Sequence, residues 1–115
     1  MMEIQQMTLD TVLLVAPVGR VDTTTSGALE EALRRAVDDG ARDLLVDLAG
    51  VEYVSSAGLH VFLVLAKRLR DLRGRLVLCG MGEPVRQVFD LAGFLPLFTV
   101  ERSRENGLVR FGAVT

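Results

Sequence analysis

The strongest constraint in this sequence is a regular alternation of short apolar runs with amphipathic stretches, separated by glycine and proline. These turn signals lie at Pro17 with Gly19, Gly40, Gly50, Gly74, 80–84 and 93–96. Between them, the patterns predict the element order ββαβαβαβ, with a final helical turn at residues 102–108. This order predicts an α/β fold, a mixed sheet of four to five strands with an N-terminal hairpin strand, parallel core strands and helices packed on the sheet.

The predicted strands are short apolar or β-branched runs. Residues 11–18 form the clearest of them, and residues 3–9 pair with this strand as a hairpin around Asp10. Further strands are predicted at residues 43–48, 75–79 and 96–100. Cys79 is expected to be a buried strand residue. The tail, residues 107–115, also contains strand-like residues, and no role is assigned to it.

Three helices are predicted from apolar residues that recur with helical spacing. The first follows the N-cap residues 22–25 and ends at Gly40, and its apolar face is Leu29, Ala32, Leu33, Ala36 and Val37. The second, residues 57–73, has the predicted buried arc Leu59, Phe62, Leu65, Ala66, Leu69 and Leu72. The third begins at residues 83–84, and its apolar residues are Val85, Val88, Phe89, Leu91 and Ala92.

Length and charge limit the classes of protein. A chain of 115 residues predicts one domain, residues 1–115. A net charge of −2 argues against binding to nucleic-acid phosphates, and a single cysteine favours a reducing compartment. The longest apolar stretch, residues 61–66, is far shorter than the roughly 20 residues of a membrane span, and the N-terminus lacks a signal-peptide pattern. We therefore expect a cytoplasmic protein without a membrane or nucleic-acid partner.

One segment is more specific than the rest, residues 47–59, D-L-A-G-V-E-Y-V-S-S-A-G-L. It is accompanied by G-R-V-D at residues 19–22, before the first helix, and by residues 80–95 around the third helix. In their order and spacing, these motifs resemble the STAS domain, the fold of bacterial anti-sigma factor antagonists. The resemblance extends over nearly the whole chain.

The resemblance implies a regulatory binding protein, and not an enzyme, that works by partner switching. The unphosphorylated form would bind an anti-sigma factor with serine kinase activity and so release a sigma factor for transcription. The serine that the family phosphorylates corresponds to Ser56, and a phosphatase acting on the phosphoserine would restore binding. The family's preceding Asp is Ser55 here, and its following Ser is Ala57. Ser55 is therefore kept as the alternative phosphorylation site.

A switch at this turn is also reasonable from the residues themselves. Ser55 or Ser56 would occupy the N-cap of the second helix. A phosphate there adds about −1.5 to −2 charges, which a helix N-terminus tolerates. A partner surface built around a neutral hydroxyl would not accept the same charge, because burying it is costly. Phosphorylation is thus predicted to change binding without unfolding the domain.

The predicted partner-binding surface surrounds this turn. Leu63 and Val64 lie at or within the polar arc that His60 and Lys67 define on the second helix, which is typical of a contact surface. If the strands before residues 19–25 and before Ser55 are parallel neighbours, both loops lie at one edge of the sheet. The residues assigned to the surface are Arg20, Asp22, Thr23, Ser55, Ser56, Ala57, Gly58, His60, Leu63, Val64 and Lys67.

Other interpretations remain open at this point. One is an accessory subunit of a lipid-transport ABC system or of a stress-sensing scaffold, which single STAS-like chains also resemble. A Ser56–His60 hydrolase would need an orienting acid, an oxyanion hole and usually G-x-S-x-G, and Val54 occupies the first glycine position. One His with one Cys supplies too few metal ligands, and residues 80–82 lack the rest of a nucleotide-binding motif. We therefore predict no catalytic residue and no cofactor.

Overall fold

The chain opens with a hairpin, as its sequence predicts. In the computed structural model, which describes residues 2–112, strand β1 (Glu3–Leu9) runs antiparallel to β2 (Val12–Val21). Asp10 makes the turn with a φ of 59°, a left-handed conformation that aspartate adopts more readily than most residues. β1 is an edge strand of the sheet, and β2 also pairs with two of the later strands.

Four parallel strands complete a six-stranded mixed sheet. They are β3 (Asp43–Asp47), β4 (Val51–Val54), β5 (Arg75–Cys79) and β6 (Thr99–Glu101). The strand order is β1-β2-β3-β5-β6, and β4 pairs with the C-terminal end of β2. The predicted α/β fold with a hairpin and parallel core strands is confirmed. The sheet has one strand more than expected, because the four-residue β4 follows β3 after a short turn.

Three helices cover one face of the sheet, and they are α1 (Ser26–Asp38), α2 (Ser56–Asp71) and α3 (Glu83–Leu91). Their core cluster includes Leu29, Leu44, Val46, Phe62 and Phe89. Because side chains alternate across a strand, Leu45 points to the opposite face, where it joins a smaller cluster. The large apolar core therefore lies between the sheet and the three-helix layer.

One short helix, α4 (Arg104–Arg110), packs on the opposite face. Leu108 belongs to the same cluster as Leu45, and a Cβ placed on Gly107 would lie 2.6 Å from Leu45 Cδ1. Arg104 donates hydrogen bonds of 3.1 and 2.9 Å to Oδ2 of Asp47, at the end of β3. Apolar packing and an ion pair together hold α4 on the sheet.

Most of the residues predicted on the apolar faces of the helices are buried or half-buried, and three are exposed. In α1 four of the five predicted residues, Leu29, Leu33, Ala36 and Val37, are buried, and Ala32 is half-buried. Leu72 was expected in the core but is 39% exposed, because α2 ends at the preceding residue. Leu91 is 89% exposed, because it lies about 200° around α3 from the buried Phe89. The adjacent Ala92 is exposed as well.

The C-terminal part departs from the strand predicted at residues 96–100. Pro96 lies in a 3-10 turn, Leu95–Leu97, and the strand begins at Thr99, since proline has no N–H for strand pairing. The predicted helical turn is α4, so residues 107–110 of the tail are helical, while residues 113–115 lie outside the described part of the chain. Within residues 2–112, no helix is long and apolar enough to cross a membrane.

Candidate functional site

Two parallel strands end side by side at the candidate site. β2 and β4 pair with Val21 opposite Val54, and β2 and β3 are parallel neighbours, as the site prediction required. The carboxyl ends of these strands form one side of the sheet, here called the carboxyl edge. The loop at residues 22–25 and the turn at Ser55 both leave from this edge. Ser55 follows β4 and not the strand predicted at residues 43–48, because β4 lies between them.

Ser55 is the N-cap of α2, and its hydroxyl has a structural role. Its backbone is extended, with φ −86° and ψ 175°, and Oγ accepts a hydrogen bond from the N–H of Gly58 over 3.3 Å. Its own N–H donates to the carbonyl oxygen of Val21 over 2.8 Å. Ser55 is half-buried as a result, and both its backbone and its side chain fix the start of the helix.

Ser56 is the first residue of α2, and it is exposed to solvent. The first turn of the helix contains no acidic side chain, so no carboxylate on that turn offsets the positive end of the helix dipole. A phosphate on Ser56 would lie next to backbone N–H groups that favour an anion. The structure thus separates the two serines: one caps the helix, and the other is accessible.

Gly58 allows α2 to begin very close to the carboxyl edge. A Cβ on this buried residue would lie 2.7 Å from Val21 Cγ1 and 2.9 Å from Val54 Cγ1, closer than ordinary van der Waals contact. Gly58 was predicted to contact a partner, but it is buried and has no exposed surface for such a contact. Its position indicates that it places Ser56, by letting the helix pack against the strand ends.

The loop between β2 and α1 is ordered by Asp22. Its Oδ1 accepts hydrogen bonds from the N–H and the hydroxyl of Thr24, over 2.9 and 2.7 Å. These bonds, above all the one from the Thr24 hydroxyl, lower the pKa of Asp22 from its ordinary value. Thr25 adds a further link, since its hydroxyl donates to the carbonyl oxygen of Arg20 over 2.6 Å. Thr23 is exposed at the tip of this loop.

Arg20 lies over the ring of Tyr53, a residue that the sequence reasoning did not select. The guanidinium carbon is 4.7 Å from the ring centroid, and the guanidinium is also 3.7 Å from a carboxylate oxygen of Asp22. Arg20 and Tyr53 face each other because β2 and β4 are paired at this point. Tyr53 is 38% exposed, and its place two residues before Ser55 in the specific segment is the signal that could have found it.

A shallow depression lies between the N-terminal ends of α1 and α2. Its lining is Ser26, Gly27, Glu30, Ser56, Ala57, His60 and Val61. His60 follows Ser56 by one helical turn, so the two side chains share one face of α2. Glu30 faces them from α1, and the sequence reasoning missed it. Its place on the polar face of α1, one turn after Ser26, was the only available signal.

Leu63 and Val64 lie on opposite flanks of α2, so the structure does not bring them into one patch. Val64 is 41% exposed and faces α1 near Leu33. Leu63 is half-buried and faces the 3-10 turn near Leu97, and Lys67 lies on the same flank. A partner centred on Ser56 can therefore extend along α1 towards Val64, whereas Leu63 and Lys67 border a different groove.

This arrangement is suited to docking that depends on charge. An exposed hydroxyl lies at a helix N-terminus, next to a depression that contains one carboxylate and one imidazole. In the part of the chain that the structure describes, no three His, Cys, Asp or Glu side chains are grouped so that they could hold a metal ion. One phosphate would change the charge of this surface while leaving the Ser55 cap intact.

Comparison with known proteins gives the family. The STAS domain model matches residues 3–107. A protein of Bordetella bronchiseptica, BtrV, assigned as an anti-sigma factor antagonist, is 42% identical over 103 residues, covering 90% of this chain and 89% of that protein. An anti-sigma-B factor antagonist of Staphylococcus aureus is 31% identical over 104 residues, covering 90% of this chain and 96% of its own.

Solved structures agree. An anti-sigma factor antagonist from Mycobacterium paratuberculosis superposes with a TM-score of 0.88 at 25% identity, covering 96% of this chain and 93% of that one. Unphosphorylated SpoIIAA, an anti-sigma factor antagonist, superposes with a TM-score of 0.83 over 98% of this chain and 99% of its own, and at 18% identity it shows the shared fold. The family match, the two relatives and the shared fold establish that this chain belongs to the STAS domain family.

Proposed function

We propose that this chain is an anti-sigma factor antagonist whose docking to an anti-sigma factor is controlled by phosphorylation of Ser56. The relatives at 42% and 31% identity carry the antagonist name. The observation that supports the switch is that the two serines at the start of α2 have different roles. Ser55 uses its hydroxyl as the helix cap, whereas the next hydroxyl, on Ser56, is exposed.

The proposed cycle has two states. The unphosphorylated chain, acting as a single domain of residues 1–115 in the cytoplasm, binds an anti-sigma factor with serine kinase activity and releases the sigma factor that it held. The kinase then transfers phosphate to Ser56 and the complex dissociates. A phosphatase removes the phosphate and restores binding. In this cycle the chain is a regulated ligand and the kinase is the enzyme.

The charge change is sufficient for such a switch. A phosphate adds about −1.5 to −2 charges at neutral pH. The helix N-terminus stabilises an exposed anion by roughly 0.3–1 kcal/mol, so the folded domain accepts the modification. A partner that buries Ser56 would have to desolvate the phosphate, and this costs more than the dipole returns. Phosphorylation therefore opposes docking and leaves the fold in place.

The docking surface that we propose follows the carboxyl edge and the start of α2. Its exposed members are Arg20, Thr23, Ser56, His60 and Val64, with Asp22, Ser55 and Ala57 half-buried between them. Tyr53 and Glu30 extend this surface on either side. Leu63 and Lys67 belong to this surface only if the partner also covers the flank of α2 that faces the 3-10 turn.

Ser56 is preferred to Ser55 for a structural reason. Phosphorylation of Ser55 would require its hydroxyl to leave the N–H of Gly58, and loss of an N-cap interaction costs about 1 kcal/mol. Ser55 is also half-buried against the carboxyl edge. Modification of Ser56 leaves this cap unchanged, so a kinase meets a folded helix with its target already exposed.

The experiment incubates the purified chain with its cognate anti-sigma factor kinase and ATP. Phosphate incorporation is followed by intact mass, and docking by isothermal titration calorimetry. We expect Ser56→Ala to bind the kinase and take up no phosphate, and Ser56→Asp to bind at least about tenfold more weakly. Ser103→Ala is the matched control, because Ser103 caps α4 in the same way as Ser55 caps α2. It should bind and be phosphorylated like the parent.

The result that contradicts the proposal is specific. Phosphate uptake by Ser56→Ala together with its loss in Ser55→Ala would place the modification on the capping serine. Unchanged affinity of Ser56→Asp and of the phosphorylated chain would remove the switch. If the chain instead co-purified with a transporter ATPase and never with a kinase, the accessory-subunit interpretation would replace this one.

A further inference from the structure

A second groove lies on the other flank of α2, away from the depression at Ser56. It runs between the C-terminal half of α2 and the 3-10 turn before β6. The accessible part of its apolar floor includes Leu76 and Phe98, which are half-buried, and Leu97, which is 58% exposed. An apolar group that enters the groove can pack on these side chains.

The charged side chains that line this groove are all basic. They are Lys67, Arg70 and Arg73, and each is exposed. Among residues 2–112 none of the three has a carboxylate within 4.0 Å. Some arginines elsewhere are paired, such as Arg68 with Asp38 and Arg75 with Asp43. Arg86 and Arg102, outside the groove, have no carboxylate within 4.0 Å in the described part of the chain. The groove therefore combines unpaired positive charge with an apolar floor in a chain whose net charge is −2.

The backbone at Arg73 points to the same conclusion. Arg73 follows the C-cap Leu72 with a φ of 60°, the left-handed conformation in which glycine is strongly preferred. The turn is a Schellman motif, since Gly74 N–H donates to the carbonyl oxygen of Leu69 over 2.6 Å and Arg73 N–H to that of Arg70 over 3.0 Å. An arginine is thus present where a glycine would relieve backbone strain, and it lines the groove.

We propose that this groove binds an acidic amphipathic segment of a partner protein. An apolar side chain of the segment packs on Leu97 and Phe98, and its carboxylates pair with Lys67, Arg70 and Arg73. Charge complementarity selects this occupant, because every charged lining residue is a cation. Leu97 is the only exposed apolar side chain in the lining of the groove, and this favours a peptide over a lipid bilayer, because binding to a membrane requires a broad face of exposed apolar side chains.

The groove and the proposed phosphorylation site are independent. Ser56 and Arg70 lie near opposite ends of α2, and fourteen residues of helix separate them by about 21 Å. At physiological ionic strength the Debye length is about 8 Å, so a phosphate on Ser56 has little electrostatic effect on the groove. The groove therefore offers a second contact that phosphorylation does not control.

The test uses a fluorescein-labelled helical peptide with glutamates on one face and leucines on the other, and a matched peptide with glutamine in place of glutamate. Fluorescence anisotropy should show that the full chain binds the glutamate peptide more tightly, with an affinity that falls as salt is raised. Arg70→Gln and Arg73→Gly should each weaken binding by about three- to tenfold. Arg73→Gly should melt no lower than the parent, because glycine suits the left-handed backbone.

Arg86→Gln is the matched control, because Arg86 is an exposed cation on α3 outside the groove, with no carboxylate within 4.0 Å among residues 2–112. It should bind the peptide like the parent, and so should Ser56→Asp. Failure to bind the glutamate peptide, equal binding of the glutamine peptide, or an equal loss in Arg86→Gln would overturn the proposal. Arg73-dependent binding to phosphatidylglycerol vesicles without peptide binding would overturn it in favour of a membrane. None of these outcomes depends on phosphorylation of Ser56.

Discussion

The backbone N–H of Ser55 donates a hydrogen bond to the carbonyl oxygen of Val21, and this 2.8 Å contact joins the start of α2 to the end of β2. The bond continues the pairing of β2 with β4 by one residue. As a result, the position of Ser56 is set by the sheet backbone and not by a mobile loop. A charge introduced at Ser56 would therefore lie at a fixed position on the surface that we propose a partner contacts.

The close approach of Gly58 to the strand ends predicts that Gly58→Ala is destabilising. The new Cβ would lie 2.7 and 2.9 Å from the Cγ1 atoms of Val21 and Val54, and 3.1 Å from the carbonyl oxygen of Val21. Overpacking of this kind costs about 1–3 kcal/mol. Urea unfolding followed by circular dichroism measures the free energy of unfolding, and the variant should show the loss.

Gly27→Ala is the matched control for this substitution. Gly27 also lies in the first turn of a helix, α1, and a Cβ there would meet nothing within 4 Å. Alanine should stabilise the domain by about 0.5–1 kcal/mol, because it has the higher helix propensity. If both variants unfold at the same urea concentration as the parent, the packing assigned to Gly58 is wrong.

The ion pair between Arg104 and Asp47 predicts that Arg104→Met destabilises the domain. Asp47 is only 8% exposed and would keep one hydrogen bond, from the N–H of Ala49 over 3.0 Å. Leaving a mostly buried carboxylate without its charged partner should cost about 1–3 kcal/mol of unfolding free energy. Arg102→Met, at an exposed residue with no carboxylate within 4.0 Å among residues 2–112, should change it by less than about 0.5 kcal/mol. Equal unfolding curves for the two variants would contradict a role for the pair.

The hydrogen bonds to Asp22 predict a measurable change in its titration. The Thr24 hydroxyl is the largest cause of the lowered pKa, so Thr24→Val should move the pKa of Asp22 upward, towards 3.8. Because the folded-state pKa is lowered, the stabilisation is present above the ordinary value and is lost as pH falls through the folded value. NMR titration of the Asp22 carboxyl carbon checks this, with Thr23→Val, an exposed neighbour, as the control that should leave it unchanged.

Burial of Cys79 predicts a thiol that does not react in the folded protein. Desolvation, followed by the nearby charge of Asp47, raises the pKa of Cys79 to about 12, so the thiol stays protonated at neutral pH. A colorimetric thiol reagent should label it only after unfolding in urea. Val109→Cys, at a position that is 70% exposed, should add one thiol that reacts at once. Rapid labelling of the native parent would show that Cys79 is accessible.

Much of the fold could be predicted because its signals are local. The turn at Asp10 and the apolar spacing of α1 are both readable within a few residues, and the structure confirms them. β4 was missed because its four residues are buried only at the two ends, so no alternation marks it as a strand. The contact between Arg104 and Asp47 joins residues that are 57 positions apart, and no local pattern encodes such a distance.

The candidate site shows the same limit. The sequence selected the Ser55–Ser56 turn and the loop containing Asp22, but it left open which serine caps the helix. That choice depends on how α2 packs on the strand ends, which the backbone bond to Val21 determines. Tyr53 escaped notice for a related reason. Its contact with Arg20 exists only because β2 and β4 are paired.

The length of β2 has a practical consequence for measuring docking. The strand runs from the hairpin to the carboxyl edge, so Thr11, exposed just before it, lies about 30 Å from Val21 at its far end. With Cys79 buried, a dye attached through Thr11→Cys would be the only surface label. A single-molecule assay could then follow partner arrival at Ser56 with the fluorophore well clear of the contact.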